Sequence, residues 1–177
     1  EPNRNSEYKG GWTPVADYLN ITNKLRAILE KMDLSLFDSY FGIDFIQKDE
    51  EIWLIEINPR LTTSYIGIRK VSDQNPLNDL INTDENSLSP PSIDKHSIFS
   101  RMELIYHGEV DRERFNQEVI PKLMKQIPEI VTPPISFKDD PSFSCMVATE
   151  CKDFQSSKKR LDQIKQAFKN YNLEIVD

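Results

Sequence analysis

Phe41-Gly42-Ile43-Asp44-Phe45-Ile46 and Trp53-Leu54-Ile55-Glu56-Ile57-Asn58-Pro59-Arg60 are two short apolar runs joined by the charged segment Gln47-Lys48-Asp49-Glu50-Glu51. Runs this short, rich in Ile, Phe and Trp and separated by a polar turn, predict a β-hairpin. Pro59 stops the second strand, because it has no N–H to donate. Side chains alternate faces along a strand, so Asp44 shares a face with Ile46, and Glu56 shares one with Asn58. Ile43 with Phe45, and Ile55 with Ile57, take the opposite faces. An odd-numbered loop centred on Glu50 sets Asp44 directly opposite Glu56. Opposed Cβ atoms lie about 5 Å apart, and two carboxylates that close repel by roughly 4 kcal/mol at an effective dielectric near 20.

A hard divalent cation removes that penalty. Asp, Glu and Asn oxygens are the donors Mg²⁺ prefers, and Mg²⁺ keeps positions for water and substrate phosphates. Asp44, Glu56 and Asn58 are therefore the candidate metal ligands. Arg60 follows at the same strand end, where a guanidinium holds an anion. The plainer arrangement is a hairpin whose two acids only face solvent. Against it, both acids lie inside apolar runs rather than at their ends.

These residues resemble the catalytic end of an ATP-grasp ligase. The string Glu56-Ile57-Asn58-Pro59-Arg60-Leu61-Thr62-Thr63-Ser64-Tyr65-Ile66-Gly67-Ile68-Arg69-Lys70 is similar to the archaeal branch containing tyramine–glutamate ligase. The close resemblance spans about residues 8–72. It implies ATP as a ligand, with Ile46 and Glu56 contacting it, and Mg²⁺ or Mn²⁺ on Asp44, Glu56 and Asn58. It implies a catalytic, substrate-contacting Arg60 and small-molecule acid and amine substrates joined through an acyl phosphate. Thr62, Thr63 and Ser64 either bind a substrate carboxylate or cap the next helix. In this family a lid with phosphate-covering lysines precedes the quoted segment, so the chain is expected to be the C-terminal portion of a longer enzyme, inactive alone. There is no Gly-rich P-loop. The competing expectation is a non-catalytic ATP-grasp-derived module that assembles with another chain.

The expected organisation is a lid or loop remnant over 1–14, a catalytic core portion over 15–92 and a C-terminal α+β unit over 93–177. The fold class is α+β, a mainly antiparallel sheet flanked by helices. Gly10-Gly11-Trp12-Thr13-Pro14 reads as a turn or mobile loop. Ile21, Leu25, Ile28, Leu29 and Met32 make an amphipathic helical stripe, with Asn20 or Thr22 as its N-cap. Residues 61–71 read as a loop entering a short helix, and 75–91 as a surface excursion with a helix near 76–81. Strands are expected over 97–108, 144–149 and 173–176, helices over 111–126 and 156–171, and a break at Pro133-Pro134.

The 177 residues carry 22 Lys and Arg against 29 Asp and Glu, a net charge of −7. That balance argues against nucleic acid as the main partner. No apolar run reaches the roughly 20 residues of a membrane span, so neither membrane nor nucleic acid is an expected partner, and a homodimer is left open. Cys145 and Cys151 stand far in sequence from the only two histidines, His96 and His107. They read as reduced thiols of a cytoplasmic protein rather than a disulfide or half a metal site.

Overall fold

The computed structural model describes residues 8–15, 20–35, 40–81, 92–135 and 142–176. The expectations for residues 1–7 and 82–91 lie outside these. The class is α+β, with antiparallel sheets flanked by helices.

The longest strand, β4 (Ser97–Tyr106), is the axis of the larger sheet. On one edge it pairs with β6 (Ser142–Ala148), which in turn pairs with β5 (Ile130–Ile135). On its other edge lie two short strands, β1 (Gly10–Thr13) and β7 (Leu173–Val176). Met102 and Leu104 alternate onto the face covered by helices. There they meet Phe143, Cys145 and Val147 of the sheet and Phe115, Leu123, Ile164 and Phe168 of the helices. Burying each large side chain contributes about 1.5–3 kcal/mol. Helix α6 (Phe154–Lys169) starts where Asp153 caps it, accepting from Ser156 N–H at 2.7 Å.

Residues 10–13, expected as a turn or loop, are strand β1, matched residue for residue with 97–100. The glycines are what allow it. A Cβ on Gly10 would lie 2.1 Å from the Phe99 carbonyl oxygen, and its φ is +130°. Two glycines therefore mark a close strand–strand approach here, not a loop.

The Pro133-Pro134 break is also corrected: both prolines lie in β5. β5 is the outer strand of the β1-β4-β6-β5 path, where a missing N–H goes unneeded, and its pairing with β6 is irregular. The helix over 111–126 is interrupted. α4 (Arg112–Arg114) passes into a π-helical turn, Phe115–Val119, before α5 (Ile120–Gln126). Pro121 heads α5 and lacks the N–H a regular helix would use, and a π turn accommodates that loss.

The other face of β4 carries helix α2 (Ser64–Val71). Gly67 is the contact point, since a Cβ there would lie 2.6 Å from the Phe99 ring and 2.8 Å from Thr13 Cγ2. The short helix α3 (Pro76–Ile81) follows. Helix α1 (Ile21–Leu29) stops short of Met32, and Asn20 stands at its start without a side-chain cap. The second sheet is the hairpin of β2 (Gly42–Lys48) and β3 (Glu51–Asn58). Lys24 of α1 ties to its turn, donating to the Glu50 carbonyl at 2.7 Å. Among the described residues no helix is long and apolar enough to cross a membrane.

Candidate functional site

The hairpin turn is shorter than the odd loop expected. Lys48 pairs with Glu51, leaving only Asp49 and Glu50 between the strands, and Asp49 takes a positive φ of 55°. This is the left-handed backbone that two-residue hairpin turns use. An even turn by itself would put Asp44 opposite Ile55. A β-bulge corrects this: Phe45 faces Leu54, Asp44 faces Glu56, and Ile55 is the extra residue. The expected Asp44–Glu56 pair therefore forms, but by a bulge rather than by loop parity. Ile55 is consequently not on the inner face with Ile57; it is 58% exposed.

Asp44 and Glu56 share the solvent-facing side of the ribbon, and both are exposed. Asn58, next but one along β3, is 8% exposed and donates from Nδ2 to Asp44 Oδ2 at 3.0 Å. Among the described residues its amide oxygen has no hydrogen-bond partner and remains able to accept a cation. The three side chains thus present hard oxygen donors from one face. Among the described residues no group of three or more His, Cys, Asp or Glu is placed to hold a metal. The donor set reaches three only through the Asn58 amide. Such a set fits Mg²⁺, which takes few protein oxygens and fills the rest of its shell with water and phosphate.

The segment after β3 turns back over the ribbon. Arg60 N–H donates to the Asn58 carbonyl at 2.8 Å, and the exposed Arg60 side chain reaches the Leu61 carbonyl at 3.3 Å. Thr62 packs on Gly42, where a Cβ would lie 2.4 Å from Thr62 Cγ2. Because Gly42 is the residue opposite Asn58, this contact brings Thr62 to the end of the ribbon that carries Asn58. Thr62 Oγ1 and Ser64 Oγ are 2.7 Å apart at the start of α2. Thr63 holds the cap position without a side-chain cap bond. Ile46 is 57% exposed and opposite Trp53, itself 44% exposed, so an apolar strip adjoins the two acids.

Tyr8 is a neighbour the sequence argument did not use. Its hydroxyl pKa is raised, first by burial and then by the negative charge of Asp44. The signal available was its place just before Gly10-Gly11, once those glycines are read as a strand.

A family model described as an ATP-grasp domain matches residues 1–64. The match takes in the hairpin, Asp44, Glu56, Asn58, Arg60 and Ser64, and covers a little over a third of the 177 residues. It supports the ATP-grasp superfamily and, with it, ATP binding and an ATP-dependent ligase-type function. No curated protein and no solved structure matches the chain.

Proposed function

We propose that this chain carries the Mg-ATP end of a carboxylate–amine ligase. The observation that carries the reading is Asp44 directly opposite Glu56, with Asn58 hydrogen-bonded to Asp44, inside the stretch that matches an ATP-grasp domain. Asp44, Glu56 and Asn58 would hold Mg²⁺ or Mn²⁺. When bound, the ion supplies neutralisation of charge on the ATP phosphates. The exposed strip at Ile46 offers an apolar contact for the nucleotide. Arg60, exposed at the strand end, is suited to stabilise the transferring phosphoryl group, as positioned cations do in phosphoryl transfer. Ser64 and Thr62 offer hydroxyls to a substrate carboxylate.

The reaction joins an acid to an amine in two steps. A carboxylate oxygen attacks the γ-phosphorus of ATP, giving an acyl phosphate and ADP. The amine nitrogen then attacks the acyl carbon, phosphate leaves, and the amine loses a proton. Likeness of the Glu56–Lys70 stretch to the tyramine–glutamate ligase branch favours an amino-acid carboxylate and a primary amine as the pair. Residues 15–92 form the catalytic portion in this reading, and 93–177 an attached unit into whose sheet β1 is built.

The test is equilibrium binding of a fluorescent ATP analogue to the purified chain, with Mg²⁺ and with EDTA. Binding should require the ion and weaken at least tenfold in Glu56→Gln and in Asp44→Asn. Ion-independent binding, unchanged in both variants, would overturn the reading.

A further inference from the structure

β1 and β7 share one edge of β4 without meeting. β1 covers residues 97–100 and β7 covers 103–106. Between them the edge opens at Arg101 and Met102, where the Arg101 N–H and the Ser100 hydroxyl both donate to the Lys9 carbonyl at 3.1 Å. A cavity of about 340 Å³ occupies this notch, and Tyr8, Lys9, Arg101, Glu103 and Lys165 are among its lining residues. That is the size of a small-ligand pocket.

A chain of net charge −7 places three cations and one carboxylate around this cavity. Arg101 is fixed before any ligand arrives: Nε donates to Ser144 Oγ at 3.1 Å, and a terminal nitrogen pairs with Glu103 at 2.5 Å. Among the described residues, neither Lys9 nor half-buried Lys165 has a side-chain hydrogen bond or ion pair. Like charges confined to one small cavity repel unless an anion joins them. Glu103 offsets one cation, so about two positive charges remain.

We propose that this notch is an oxyanion site, in which Lys9, Arg101 and Lys165 take a carboxylate or phosphate group. The anion site does not depend on the ligase reading. It gives residues 93–177 a part in recognition, because Arg101 and Lys165 both belong to that unit.

The test is a titration of the intact chain with inorganic phosphate and, separately, with glutarate, at constant ionic strength. The readout is the amide chemical shifts of Tyr8, Gly10, Gly11 and Ile175. Saturable shifts are expected with at least one anion. Lys9→Gln and Lys165→Gln should each weaken binding about fivefold or more, and Glu103→Gln should tighten it. Saturation by glutarate would identify the carboxylate source, and by phosphate alone the phosphate source. Asp44→Asn should leave this binding in place while abolishing ion-dependent nucleotide binding, so the two readings fail separately. Shifts that never saturate, or lysine variants that bind like the parent chain, would overturn the proposal.

Discussion

Asn58 donates to Asp44 at 3.0 Å although the residue directly opposite it is Gly42. With no side chain at 42, the Asn58 amide has room to lean along the ribbon, and Thr62 fills the space above Gly42. Gly42→Ala should therefore do more than add a methyl. Its Cβ would meet Thr62 Cγ2 at 2.4 Å, and overpacking of this kind costs about 1–3 kcal/mol. Thr62→Ser removes the offending methyl. Chemical denaturation of the single and double variants should show a favourable coupling, with the double variant more stable than Gly42→Ala alone. Additive losses would mean that Thr62 does not rest on Gly42.

The opposed carboxylates predict a response to metal. Both are exposed, so their mutual repulsion at about 5 Å is nearer 1 kcal/mol than the value for a buried pair. Glu56→Gln should raise the ion-free Tm slightly and remove the stabilisation by millimolar Mg²⁺ or Mn²⁺. An ion tenfold above its Kd stabilises by about 1.4 kcal/mol. Asp44→Asn should also lose the metal response, but gain less without it, because the Asn58 hydrogen bond then goes to a neutral acceptor. Thermal melts across a metal titration, with NaCl controls for screening, read both effects. Variants that melt lower without metal and still respond to it would place the ion elsewhere.

The hairpin was legible in the sequence because period-two alternation and a polar turn are local signals. The bulge at Ile55 was not, since nothing in Trp53-Leu54-Ile55-Glu56 marks which residue goes unpaired. It is fixed only when the turn at Asp49-Glu50 and the Asp44–Glu56 pair are both satisfied. The stripes of α1 and α6 were readable for the same local reason. β1 is not legible locally because two of its four residues are glycines, which weaken a strand; their pairing with Ser97–Ser100 comes from almost ninety residues away. The prolines of β5 misled in the same manner, since only the topology shows that this is an outer strand. The notch at Arg101 exists only once β1 and β7 are placed on one edge, so no motif announces it.

Arg160 and Glu129 clamp α6 to the segment leading into β5. Nε and Nη2 of Arg160 donate to the two carboxylate oxygens at 2.6 and 3.0 Å. Burial alone would raise the Glu129 pKa, but the Arg160 hydrogen bonds, a backbone bond and the Arg160 and Lys70 charges outweigh it, and the net shift is downward. A depressed carboxylate contributes stability that is fully present above its ordinary value of 4.5 and is lost as pH falls through the folded value. Glu129→Gln should thus cost about 1–2 kcal/mol near neutrality, discounted for the partly exposed Arg160. The difference should shrink in acid, where the parent carboxyl is protonated too. Urea denaturation at several pH values checks this, and a difference that stays constant into acid would remove the ion pair as its cause.

The two cysteines should separate by reactivity. Both are free thiols, Cys145 buried within the sheet and Cys151 half-buried at a bridge to His96. Burial, with the Glu103 charge added, pushes the Cys145 thiol up to about 12. The thiolate is the nucleophile, so at pH 8 Cys145 stays in its unreactive thiol form, enclosed by packed side chains. A chromogenic disulfide at pH 8 should therefore titrate one thiol promptly and the second only on denaturation. Cys151→Ser should abolish the prompt phase. Cys145→Ser should keep it while lowering stability by about 1–3 kcal/mol, because a hydroxyl replaces a thiol in an apolar core. Prompt modification of both thiols in the folded chain would mean that β6 opens readily, and the core assigned around Met102, Leu104 and Phe143 would not be holding it.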